Sequence, residues 1–140
     1  MSDDQDQEYN LEDQVGFKLR LANQRHLEIF ARMMPDVTST QFAVLAKLSA
    51  SGPLSQNHLG RLVGMDAATT KGVVERLRKK DLVAITASTT DGRRLNISLT
   101  QAGRDFAAHA TNIALDISRL TCEKLTPREQ RKLLELLDKL

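Results

Sequence analysis

The sequence holds one cysteine, Cys122, so it builds no internal disulfide and no cysteine-rich metal cluster. Tryptophan is missing and aromatic residues make up only 4%, too few for the stacked rings that read single-stranded nucleic acid. The three histidines, His26, His58 and His109, show no metal-ligand spacing with one another or with Cys122. No apolar run approaches the roughly 18 residues of a membrane span. The opening stretch MSDDQDQEYN is too acidic for a secretory leader. A glycine-rich phosphate loop, a nucleophile elbow and an HExxH pair are all lacking. The expectation is a cytoplasmic protein with no membrane association, no metal, no cofactor and no enzymatic activity.

What the chain does have is charge, unevenly placed. Residues 1–17 carry six acids and no base, whereas residues 56–104 carry nine bases against four acids. A basic middle suits a polyanion as partner, and it equally suits a solvated helix face.

Helical periodicity dominates. Apolar residues between positions 11 and 34 form two rows, one through Leu11, Val15, Leu19, Ala22, Ile29 and Met33, the other through Phe17, Leu21, Leu27, Ala31 and Met34. They predict a long helix with more than one buried face, ended by Pro35. Thr38 or Ser39 can cap a second helix around Phe42, Val44, Leu45 and Leu48, and Gly52-Pro53 stops it. Ser55 can cap a short third helix, Gly64 supplies a tight turn, and Asp66 caps a fourth from 67 to about 80. Two helices joined by a short glycine-containing turn form a helix-turn-helix.

Residues 82–86 read as a strand, Asp91-Gly92 as a turn, and 95–99 as a returning strand of alternating polarity. Thr100 caps a long helix to about residue 124. Thr126, Pro127 and Glu129 form a capping box that opens a last, leucine-rich helix. The predicted fold is mainly α with a small β-hairpin wing. A winged helix-turn-helix occupies 36–100, flanking helical regions occupy 11–35 and 101–140, and residues 1–10 are a disordered acidic terminus. In such a fold the second helix of the motif enters a major groove, while a wing arginine reaches the electronegative minor groove beside it.

Asp66-Ala67-Ala68-Thr69-Thr70-Lys71, Val74-Glu75-Arg76-Leu77, Leu82-Val83, Asp91-Gly92-Arg93 and Ser98-Leu99-Thr100 with Gly103 together resemble the MarR family of bacterial regulators. The resemblance runs from about residue 41 to 103. It implies a homodimer, with 11–35 and 101–140 as its helical dimerisation regions, that binds a pseudo-palindromic operator in double-stranded DNA, most often as a repressor. Two positions depart from the family pattern: Asp81 stands where a glycine is usual, and Ile85 where many members carry a wing arginine. The stretch from Gln56 to Gly72 is also similar to a subgroup that represses operons for breaking down aromatic or N-heteroaromatic acids.

The candidate DNA-binding residues are Gln56 and Asn57 at the start of the third helix, and Ala67, Ala68, Thr69, Thr70, Lys71 and Arg76 on the fourth. Arg93 and Arg94 complete the set on the wing. Hydroxyls at a helix tip reach bases or phosphates, and alanines keep the approach close. Arg78, Lys79 and Lys80 suit the negative end of their own helix dipole. The resemblance further implies a small aromatic carboxylate effector between the first, second and fifth helices. Arg25, His26, Phe30 and Phe42 are its candidate contacts. His26 also falls on the inward phase of Ala22 and Ile29, so a satisfied core histidine is the competing reading. Cys122 is expected as an interfacial thiol. Alternatives to an effector-released repressor are a ligand-independent or redox-tuned regulator and a winged-helix protein-interaction module. Arg93→Ala is expected to weaken operator binding by about 1–3 kcal/mol in a gel-shift titration at fixed salt.

Overall fold

A computed structural model describes residues 8–88, Thr90, Gly92 and 94–140. The acidic residues at 1–7 and the wing residues Thr89, Asp91 and Arg93 lie outside the described residues. Six helices run in the order α1 (Val15–Met33), α2 (Ser39–Ser51), α3 (Gln56–Val63), α4 (Ala67–Lys79), α5 (Gln101–Thr121) and α6 (Pro127–Leu137). Strands β1 (Leu54–Ser55), β2 (Val83–Ala87) and β3 (Leu95–Leu99) form one antiparallel sheet in the order β1-β3-β2.

Side chains that accept a backbone N–H open five of the helices: Thr38, Ser55, Asp66, Thr100 and Thr126. Gly64 sits in the left-handed region at φ 70°, which turns the chain from α3 into α4. The long first helix predicted from residue 11 is interrupted. Leu11–Asp13 form one 3-10 turn, Gln14 is extended, and α1 begins at Val15. Gln14 Nε2 donates back to the Asn10 carbonyl at 2.9 Å, an alternative to the helical ladder that closes the turn early. The two-residue strand β1 was not expected. It pairs Leu54 with Ile97 and Ser55 with Asn96, adding a third strand to the hairpin.

The core centre is formed by Val44, Leu45, Leu59, Val74, Leu77 and Ile97, all at most 2% exposed. It continues through Ile29 and Phe30 of α1 to Ala110 and Ile117 of α5. One junction ties these layers together. The Leu82 amide donates to the Leu77 carbonyl at 3.1 Å and the Asp81 amide to the Arg78 carbonyl at 3.0 Å, with Asp81 left-handed at φ 58°. This is a Schellman ending for α4, with aspartate doing what glycine usually does. The Thr100 amide then donates to the Leu82 carbonyl at 3.1 Å, and the Thr100 hydroxyl to the Asp81 carbonyl at 2.6 Å.

Gly103 completes the junction. A β-carbon there would stand 2.0 Å from the Leu82 carbonyl oxygen, so the first turn of α5 can rest on that peptide only without a side chain. Gly103→Ala is expected to destabilise the fold by about 1–3 kcal/mol, read as a lower urea midpoint at fixed protein concentration.

Candidate nucleic-acid interface

Helix α4 has two distinct sides. Thr70, Val73, Val74 and Leu77 form its buried stripe. At about 100° per residue, Ala68, Gly72, Glu75 and Lys79 fall on the opposite ridge, flanked by Thr69 and Arg76 on one side and Lys71 and Arg78 on the other. The ridge is low at its N-terminal half because Ala68 and Gly72 carry little or no side chain. A β-carbon added at Gly72 would lie 3.4 Å from Arg76 Nη1, so the Arg76 guanidinium folds back along this outward ridge.

Ala67, Ala68, Thr69, Lys71 and Arg76 are exposed as a group that a duplex can reach. Thr70 is a correction. It is fully buried, and its hydroxyl donates to the Asp66 carbonyl at 2.7 Å. A β-carbon on Gly60 of α3 would come 2.7 Å from that hydroxyl oxygen. Thr70 therefore packs α4 against α3 and presents nothing to DNA.

The Asp66 carboxylate accepts from the Thr69 amide at 2.7 Å. That bond, with help from the Thr69 side chain, holds Asp66 below its ordinary carboxylate range. At the far end, the Arg78 guanidinium donates to Glu75 at 3.0 Å and likewise lowers the Glu75 carboxyl. The pair is exposed and adds little stability, but it partly neutralises the one acid on the ridge.

Gln56 and Asn57 lie at the capped start of α3, Gln56 half-buried and Asn57 exposed. They border two clefts. One, of about 200 Å³, runs between them and Gly60, Met65 and Ala67; the other, of about 420 Å³, opens toward Arg94 and Leu95 at the base of the wing. Arg61 lines both. It was not among the sequence candidates, although it lies four residues after Asn57 and therefore on the same helix face. Exposed Arg94 closes the hairpin by accepting at its carbonyl from the Ser88 amide at 2.8 Å. The expected minor-groove residue, Arg93, and its neighbour Asp91 lie outside the described residues.

Three of the four effector candidates stand in series. Buried Phe30 and half-buried Phe42 stand 6.1 Å apart, ring centre to ring centre, with His26 6.3 Å from Phe30. Exposed Arg25 is held by Glu123 at 2.8 Å. His26 Nδ1 lies 2.9 Å from the Thr121 hydroxyl, which already donates its proton to the Ile117 carbonyl. His26 Nδ1–H is thus the donor, and in the neutral ring Nε2 is the acceptor. Cys122 is half-buried just past the end of α5, which closes three residues earlier than expected.

A glycine-turned pair of helices, an exposed ridge on the second and a basic hairpin beside it define a winged helix-turn-helix regulator. Residues 36–94 match the MarR family. The chain is 37% identical over 134 residues to the HTH-type transcriptional repressor NicR of Pseudomonas putida, covering 94% of this chain and 85% of that protein. A crystal structure of a probable transcriptional regulator from Pseudomonas aeruginosa superposes with TM-score 0.88 at 46% identity, covering 93% and 98% of the two chains. BpsR of Bordetella bronchiseptica, whose DNA binding is regulated by 6-hydroxynicotinic acid, superposes with TM-score 0.89 at 34% identity over 94% and 96%. The chain belongs to the MarR family of transcriptional regulators.

Asp66→Ala is expected to lower the melting temperature at pH 7. Because the folded Asp66 value is depressed, its contribution is complete above the unfolded value of about 3.9 and is lost as pH falls through the folded value. Melting curves of wild type and variant should therefore converge in strong acid.

Proposed function

We propose that this protein is a cytoplasmic, homodimeric repressor that binds a pseudo-palindromic operator and leaves it when a small aromatic acid binds. It acts by binding, not by catalysis. The observation that carries the reading is the pair of adjoining clefts that links Ala67 at the start of α4, the α3 tip with Arg61, and Arg94. A helix ridge low enough to enter a major groove lies beside cations placed for the flanking phosphates.

The dimer rests on α1, α5 and α6, the proposed dimerisation region. Helix α6 buries no residue against its own protomer, yet Leu134, Leu136 and Leu137 are 57%, 47% and 40% exposed. Apolar faces of this kind are covered by a second copy in a symmetric arrangement. Two recognition helices fixed about 34–36 Å apart then meet one face of the duplex. The aromatic acid is favoured by the similarity to BpsR and by the aromatic residues gathered around Phe30. Among the described residues no helix is long and apolar enough to cross a membrane.

The test is fluorescence anisotropy on a duplex selected by the wild-type protein from random sequence, alongside light scattering for mass. Dimeric mass and a steep salt dependence are expected. Arg61→Ala should reduce the slope of log K against log salt by about 1 while leaving the preferred sequence unchanged. A monomer with a flat salt dependence refutes the reading.

A further inference from the structure

A cavity of about 500 Å³ lies at the elbow between α1 and α2, walled by Leu27, Phe30, Ala31, Met34 and Val37. Among the described residues of α4 and its caps, Lys80 alone lines it. Apolar packing therefore does not join the end of the recognition helix to the elbow at this point, and hydrogen bonds span the gap instead. Lys80 is the C-cap of α4, and its ammonium donates to the Asp36 carbonyl at 2.7 Å and to Gln41 Oε1 at 3.2 Å. Asp36 lies between α1 and α2, and Gln41 in the first turn of α2. Gln41 is itself buried, and its Oε1 also accepts from the Thr38 amide at 3.2 Å in the capping box of α2.

We propose that Lys80 is a positioning residue for operator recognition. Its ammonium holds the C-terminal end of α4 to the α1–α2 elbow and so sets the angle at which the ridge meets the base edges, without itself touching DNA. This deepens the operator-binding reading and rests on it. Lys80 belongs to the basic middle of the chain by sequence, yet it stands apart from the ridge. It follows Val73 by seven residues, which at 100° per residue leaves it about 20° around the axis from that buried side chain. Two of the ammonium's three donors are committed inside the protomer. Both acceptors are uncharged, and a charged donor makes each bond stronger than a neutral pair would be.

The two ends of α4 are held by different partners. At the N-terminal end Thr70 packs against Gly60 of α3. At the C-terminal end the Leu82 junction joins the helix to the wing and α5, but not to α1 and α2. Lys80 supplies that link. Without it, the far end of a helix about 20 Å long is free to swing about its anchored tip, carrying Arg76 and Lys79 with it. Base edges must be met in register, whereas long cationic side chains reach phosphates from a range of helix angles. Loss of the tether therefore falls on sequence discrimination and spares the general attraction to duplex.

The experiment is fluorescence anisotropy of the full chain over a range of salt on two duplexes of equal length, one selected by wild type from random sequence and one a scrambled copy. Lys80→Met should weaken binding to the selected duplex by about tenfold or more, change binding to the scrambled copy by less than about twofold, and keep the wild-type slope of log K against log salt. Lys80→Arg, which keeps donors at the elbow, should discriminate within about threefold of wild type. A variant that is only less stable loses both duplexes in proportion, because a smaller folded fraction binds each one less. Equal loss on both duplexes, a slope lower by about 1 as for a phosphate contact, or wild-type discrimination by Lys80→Met overturns the proposal and leaves operator binding standing. So does a Lys80→Arg protein as impaired as Lys80→Met. If wild type selects no sequence and binds both duplexes alike, the operator-binding reading itself falls.

Discussion

The Leu82 peptide is the point on which the architecture turns. Its amide closes α4, its carbonyl receives the amide of Thr100, and Gly103 lets α5 sit directly upon it. Recognition helix, first wing strand and α5 therefore meet at one residue. The two DNA-reading elements cannot shift relative to each other without breaking this junction.

Electrostatics follows the same division. The acids of the N-terminal head and the bases of residues 56–104 are segregated along the chain, and the fold keeps the basic middle together around α3, α4 and the hairpin. Within that patch the two acids nearest the recognition helix, Asp66 and Glu75, are both engaged by donors. Each satisfies a local structural need while presenting less bare negative charge to an approaching phosphate.

Helix beginnings were legible because a cap is a local chemical event: Thr38, Ser55, Asp66, Thr100 and Thr126 each sit one residue before their helix and accept its free amides. Asp81 was marked only by the family resemblance, as a position where glycine is usual, and it adopts the left-handed conformation a glycine would. Strand β1 was not, since two residues show no period and exist only because Ile97 lies beside them. Thr70 was misplaced although its phase with Val73, Val74 and Leu77 was readable. Its hydroxyl suggested a contact, and the inward stripe overruled it. Arg61 was readable from its spacing to Asn57. The elbow cavity was not legible, because Lys80 and Asp36 meet across 44 residues of sequence. Of the grouping of Arg25, His26, Phe30 and Phe42, the three rings stand in series, while Arg25 pairs with Glu123 just past α5.

The inward turn of Thr70 has an evolutionary consequence. It places every packing duty of α4 on one set of positions and leaves its neighbours Ala68, Thr69, Lys71 and Gly72 unencumbered. Paralogues built on this scaffold are free to acquire new binding-site vocabularies by exchanging those surface letters, while the grammar that holds the helix in place goes untouched. Duplicated copies can thus diverge in which promoters they address long before they diverge in how they fold.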